Sequence, residues 1–184
     1  MSNKFGRVIS GKYKGKKIPM SENIAIRPTT DRVKETVFNI LQHSYKYNLR
    51  GVVLDLFAGS GSLGIESLSR GSNKVIFVDK DPQAIASIKK FVDSLHPPVN
   101  SQYIVSDALN LPQIKEKIDL VFLDPPYESN LVEDSLRVLL QKDIFQEGCV
   151  FVVESSRDLH IGNLELQQTK IMGKIIIKIY VLKS

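Results

Sequence analysis

From residue 51 onward, short apolar runs rich in β-branched residues alternate with stretches of helical periodicity. This alternation leaves few architectures open besides a parallel sheet flanked by helices. The runs are Val52–Phe57, Lys74–Asp79, Gln102–Ser106, Ile118–Asp124 and Cys149–Glu154. Each is nearly continuous, as suits a strand buried on both faces. Between them, Leu63–Ser69, Pro82–Leu95 and Leu131–Gln141 show i, i+3, i+4 spacing, with Pro82 placed for a first helical turn. The end of the chain changes pattern. Leu164–Ile171 and Lys174–Leu182 flank Met172-Gly173 with no room for a helix, which predicts an antiparallel hairpin. A doubly wound sheet with an antiparallel edge strand is expected.

Upstream, Thr30 is placed to cap a helix whose Asp31 suits the positive end of the dipole, with Val33, Val37, Ile40 and Leu41 in one apolar stripe. Ahead of it, Arg7–Pro19 mixes charge, glycine and apolar residues, compatible with a short hairpin or a partly mobile arm. The 184 residues read as one domain, of which 1–26 form a basic N-terminal arm or hairpin. A chain of this size can bury roughly 70% of its unfolded surface, so it needs no staple. Cys149 is the sole cysteine, and His43, His96 and His160 make no zinc spacing with it, so no metal is expected. No apolar run approaches a membrane span or a signal peptide, which points to the cytoplasm; a monomer is expected.

The net charge of +5 is unevenly spread. Residues 1–50 hold 11 Lys/Arg against 3 Asp/Glu, a net +8, and the remainder holds 14 against 17, a net −3. Lys4, Arg7, Lys12, Lys14, Lys16 and Lys17 share the first 20 residues with no acid, and Phe5 and Tyr13 lie among them. Phosphate contact with aromatic packing is the functional reading, and a solvated basic tail the plain one. Arg27 and Arg32 extend the basic set.

Val53–Gly64 runs from a strand into a glycine-rich turn and then a helix, and Gly59, Gly61 and Gly64 match G-x-G-x-x-G. Glycine is needed where backbone turns tightly and approaches a ligand at the carboxyl end of a sheet. The motif alone separates neither a nicotinamide nor a sulfonium cofactor. Two acids favour the second. Asp55 precedes the glycines, where a pyrophosphate would be repelled and the cationic groups of S-adenosylmethionine favoured, and Phe57 lies in the same turn. Asp79 ends the next strand, where a carboxylate can bind ribose hydroxyls. Asp107 and Ala108, after the third strand, are placed for an adenine amino group.

The fourth strand ends in Asp124-Pro125-Pro126-Tyr127. Two prolines fix the backbone so that the Asp124 carboxylate and the Pro125 carbonyl can accept the two hydrogens of one amine. Tyr127 offers a flat face for a base. An exocyclic amine is a poor nucleophile because its lone pair is delocalised, so two aligned acceptors can favour the tetrahedral nitrogen that attacks a methyl group.

With both motifs in hand, the chain resembles the bacterial 16S ribosomal RNA guanine-N2-methyltransferase family, of the class I, S-adenosylmethionine-dependent type. The likeness is carried by residues 7–18 (RVISGKYKGKKI), 27–41 (RPTTDRVKETVFNIL), LDLFAGSGSLGIESLSRG and FLDPPY. Beyond Tyr127 only the order of elements agrees. The resemblance implies a sheet order 3-2-1-4-5-7-6 with the last strand antiparallel. It also implies a guanine of 16S ribosomal RNA as target, at nucleotide 966, and a small-subunit assembly particle as partner. It gives donor contacts to Asp55, Gly59, Gly61, Asp79 and Asp107, amine contacts to Asp124 and Pro125, and base stacking to Tyr127. Two features depart from the pattern: Asp79 stands where Glu is as common, and residues 156–163 are too few for a crossover helix. The rival readings are a DNA adenine-amino methyltransferase, for whose target-reading domain the chain has no spare length, a nicotinamide oxidoreductase, and a non-catalytic RNA-binding assembly factor.

Overall fold

The computed structural model describes residues 5–19, 30–44, 50–125, 130–156 and 159–183. In chain order the elements are strands β1 (Phe5–Arg7) and β2 (Lys17–Pro19), helix α1 (Asp31–Ser44), strand β3 (Val52–Leu56), helix α2 (Ser62–Arg70), strand β4 (Lys74–Asp79) and helix α3 (Pro82–Asp93). There follow strands β5 (Ser101–Val105) and β6 (Ile118–Leu123), helix α4 (Leu131–Leu140), and strands β7 (Phe145–Glu154), β8 (Leu164–Met172) and β9 (Ile175–Leu182). Every predicted strand and helix is present, with ends unmoved or moved by at most four residues. The largest change is at β7, which starts at Phe145 and meets β6 through a register shift between Ile118 and Leu120.

Seven strands form one sheet in the order β5-β4-β3-β6-β7-β9-β8. Counting from β3, this is the expected 3-2-1-4-5-7-6. β3 to β7 pair in parallel, and β9 runs antiparallel to both neighbours. The antiparallel strand is therefore second from the edge, not at it, because β8 pairs outside it. Residues 159–163 reach β8 without a helix.

Alternate side chains of the parallel strands feed two cores. Val53, Val75, Phe77, Leu120 and Phe122 pack with α1, α2 and α3, while Leu54, Leu56, Ile76, Val121 and Phe151 pack with Leu136 and Leu139 of α4. Local signals set the helix ends. Thr30 Oγ1 accepts from Val33 N–H at 3.3 Å, as the sequence predicts. Asp81 accepts from Gln83 N–H with Pro82 at the first position of α3, and Gly71 closes α2 in the left-handed conformation. No helix among the described residues is long and apolar enough to cross a membrane.

Of the expected arm or hairpin, residues 5–19 form the hairpin, and residues 1–4 and 20–26 lie outside the described residues. β1 and β2 form a hairpin whose Val8, Tyr13 and Ile18 are at most 2% exposed and belong to the core shared by α1, α2 and α3. At roughly 1.5–3 kcal/mol per buried side chain, this hairpin contributes substantially to the fold.

Candidate active site

Strand pairing brings the predicted acids together. Leu56 pairs with Val78 on one side and Leu123 on the other, so Asp79 and Asp124 emerge on either side of position 57, at the carboxyl ends of the central strands. Asp55 lies two residues below, 4% exposed, with its Oδ2 accepting from Gly64 N–H at 2.9 Å. Burial pushes the Asp55 carboxyl up to about 8; the Gly64 hydrogen bond opposes this, and the negative charges of Asp124 and Asp79 add to it. Such a site favours a cation.

The turn is shaped for close approach. Phe57 adopts φ 66°, the sole non-glycine positive φ among the described residues, and Gly59 and Gly61 follow at 52° and 72°. A bulky residue held there is strained, and such strain persists where the surroundings fix the backbone. Gly64 is required for packing: a Cβ there would lie 2.3 Å from the Phe77 ring and 2.8 Å from Asp55 Oδ2. Asp79 orders the turn as well as bounding it. Its Oδ2 accepts from Gly59 N–H at 2.7 Å and its Oδ1 from Asp81 N–H at 2.9 Å, leaving further lone pairs for hydroxyl donors. Asp107 is exposed after β5, its Oδ1 accepting from Leu109 N–H, and Ala108 is buried beside it. Asp124 and Pro125 are half-buried at the end of β6. Pro126 and Tyr127 lie outside the described residues.

The basic candidates divide. Lys12, Lys14 and Lys16 are exposed on the hairpin turn, Lys17 is exposed on β2, and Arg32 is exposed on α1. Arg7 is exposed but bound to Asp31 at 2.5 Å. Tyr13 cannot stack on a base: its ring is buried and its hydroxyl donates to the Pro97 carbonyl at 2.6 Å. Lys4 and Arg27 lie outside the described residues.

Sequence reasoning missed the contacts that hold this hairpin. Glu66 of α2 is fully buried, and accepts from Ile9 N–H at 2.8 Å, Ser10 N–H at 3.0 Å and Arg70 Nε at 2.7 Å. Lys34 of α1, also fully buried, donates to the Arg7 carbonyl and pairs with Asp31 at 3.3 Å. The available signal was the pair Glu66 and Arg70, four residues apart and the sole charged residues of α2.

The profile of a family described as Conserved hypothetical protein 95 matches residues 6–181. The chain belongs to that family. Among its relatives, the ribosomal RNA small subunit methyltransferase D of Haemophilus influenzae is 35% identical over 181 residues, covering 95% of this chain and 92% of the relative. The Escherichia coli K12 protein of the same name is 31% identical over 179 residues, covering 95% and 88%. The crystal structure of a candidate methylase from Haemophilus influenzae superposes with a TM-score of 0.80 at 32% identity, covering 98% and 99%. The family member described here therefore has the class I methyltransferase fold, with its glycine turn and acids at the sheet end where such folds bind ligands.

Proposed function

We propose that the protein methylates the exocyclic N2 amine of a guanine in small-subunit ribosomal RNA, using S-adenosylmethionine. The observation that carries this reading is the convergence of Asp55, Asp79 and Asp124 around the strained Phe57–Gly61 turn. The family membership and the names of the relatives support it.

The residues fit the donor. Asp55, desolvated and pressed by two other carboxylates, suits the cationic end of the molecule. Asp79 suits ribose hydroxyls, Phe57, Gly59 and Gly61 allow close backbone approach, and Asp107 with Ala108 suits the adenine. S-adenosylmethionine would supply an electrophilic methyl group carried on a sulfonium.

The acceptor side is argued from Asp124 and Pro125. The carboxylate and the carbonyl each take a hydrogen bond from one amine N–H, which turns the nitrogen lone pair toward the methyl. Transfer of the methyl group from the sulfonium would leave the nitrogen positive, and Asp124 or water would take its proton. Tyr127 stacks on the base. Lys12, Lys14, Lys16 and Arg32 are the cations offered to RNA phosphates.

Mapping methylated nucleosides by mass spectrometry in ribosomal RNA, from cells lacking the protein and cells regaining it, tests the assignment. One N2-methylguanosine in 16S RNA should vanish and return, and should not return with Asp124→Ala. A lost adenine mark in DNA, or no lost mark, would overturn it.

A further inference from the structure

We infer that Glu66 and Ser69 are positioning residues for RNA, holding the basic turn in fixed register with the methyl-transfer site through the shared helix α2; this rests on the proposed reading of the turn as RNA-facing. Helix α2 carries the donor turn at its first end, where Gly61 precedes it and Gly64 N–H binds Asp55. Its later turns carry the hairpin. Glu66 takes the Ile9 and Ser10 N–H groups. Ser69 Oγ accepts from Tyr13 N–H at 2.9 Å and donates to the Ser10 carbonyl at 2.5 Å, and the Ser69 carbonyl accepts from Lys12 N–H at 2.8 Å. Gly11 lies so close that a Cβ would fall 1.9 Å from the Ser69 carbonyl oxygen.

Four backbone N–H groups at residues 9–13 are thus registered on one helix, immediately before and within the turn that displays Lys12, Lys14 and Lys16. These three lysines are exposed and engage no carboxylate among the described residues. Gly61 and Ser69 are eight positions apart, about 12 Å along the helix. The turn therefore holds phosphates at a fixed distance from the reacting amine rather than beside it. A buried acid is costly to keep, and Glu66 is kept by pairing with Arg70 and by two backbone donors of the hairpin. Rigid presentation lets the lysines bind without first ordering the loop.

The test uses the full chain, radiolabelled S-adenosylmethionine and transcribed small-subunit RNA, with variants Gly11→Ala, Ser69→Ala and Glu66→Gln, and the triple variant Lys12→Gln, Lys14→Gln, Lys16→Gln. Gly11→Ala should raise the RNA KM about tenfold and Ser69→Ala about threefold, with kcat and donor Kd within twofold of the parent. Both should speed amide exchange at Ile9, Ser10 and Tyr13. A fold-wide defect would lower kcat and donor affinity as well, so the KM split separates positioning from general damage. Should Glu66→Gln fail to fold, Ser69→Ala still decides. A triple lysine variant with unchanged affinity and unchanged salt slope overturns the RNA-facing reading. A weakened lysine variant beside Gly11→Ala and Ser69→Ala with parental RNA KM overturns the role of Glu66 and Ser69.

Discussion

At the strand-end rim, Asp55 is desolvated beside two further carboxylates and its pKa rises. Around the N-terminal hairpin, Lys34 of α1 is buried yet meets Asp31, just as Arg70 of α2 meets Glu66. Both regions concentrate charge of one sign by sequence, but the fold treats them differently. The basic segment spends part of its charge on its own architecture, including Arg7 on Asp31, and shows only the remainder to solvent. The acidic rim keeps its mismatch at the carboxyl end of the central strands. Charge counted along a chain therefore overstates the basic face and understates the acidic one, because counting does not register burial.

The sharpest way to break this comparison is to remove the hairpin outright. Deleting residues 1–19 takes Val8, Tyr13 and Ile18 from the core and strips Glu66 of its two backbone donors. At roughly 1.5–3 kcal/mol per side chain and roughly 2–4 °C per kcal/mol for a chain of this size, the thermal midpoint should fall by at least about 10 °C. Glutamine at Lys12, Lys14 and Lys16 should leave it within about 2 °C, as surface changes do. Calorimetry that found the truncated chain as stable as the parent would reduce the hairpin to a solvated tail.

At Asp124 and Tyr127 the expected response is in activity. Asp124→Ala should lower kcat at least about a hundredfold with donor affinity little changed, since the lost carboxylate is the proposed acceptor for the amine. Tyr127→Phe should keep much of the activity and Tyr127→Ala little. Full turnover in Asp124→Ala would remove the carboxylate from the mechanism.

The rim was legible in the sequence because its parts are local. A strand followed by G-x-G-x-x-G, and an acid at each strand end, name their own positions once the strands are parallel and in register. The sheet order came from the resemblance, and the residues alone suggested an antiparallel edge that β8 in fact occupies in parallel sense to β7. The hairpin was less legible because its contacts are non-local. Glu66 lies 57 residues from Ile9, and Tyr13 lies 84 from Pro97. Nothing in the run GKYKGKKIP says that the tyrosine turns inward while its lysine neighbours turn out. The positive φ of Phe57 had no sequence signal either, since the turn was already supplied with glycines.

Asp79 tests whether the acids at the rim are interchangeable. Its carboxylate holds Gly59 and Asp81 N–H groups in addition to the proposed ribose contact. Asp79→Ala should weaken donor binding by roughly 1–3 kcal/mol and loosen the turn, seen as faster amide exchange at Gly59. Asp79→Glu should recover most of the affinity. Equal donor affinity in Asp79→Ala by calorimetry would exclude the ribose role.

The smallest expected effect, and the one most specific to the acidic mismatch, is on pH. With its pKa near 8, the Asp55 carboxyl is largely protonated below about pH 7 in the ligand-free protein. A cationic ligand favours the carboxylate, so binding should release close to one proton at pH 6.5, and affinity should rise about tenfold per pH unit up to pH 7.5. Calorimetry in buffers of different ionisation enthalpy reads that proton directly. The stability of the ligand-free protein should move the opposite way. Because the folded-state pKa lies above the unfolded value of 3.8, the folded protein binds this proton more tightly. The contribution is complete below about pH 4 and is lost as pH rises through 8. Asp55→Asn should flatten that decline, raise the thermal midpoint at pH 8.5 and abolish the proton release, at the expense of donor affinity. Asp124→Asn should lower the pH at which affinity levels off, since the Asp124 charge helps hold the Asp55 pKa up. Parental protein that binds the donor with no proton release would mean that Asp55 does not face the cationic group, and the rim's mismatched charge would need another purpose.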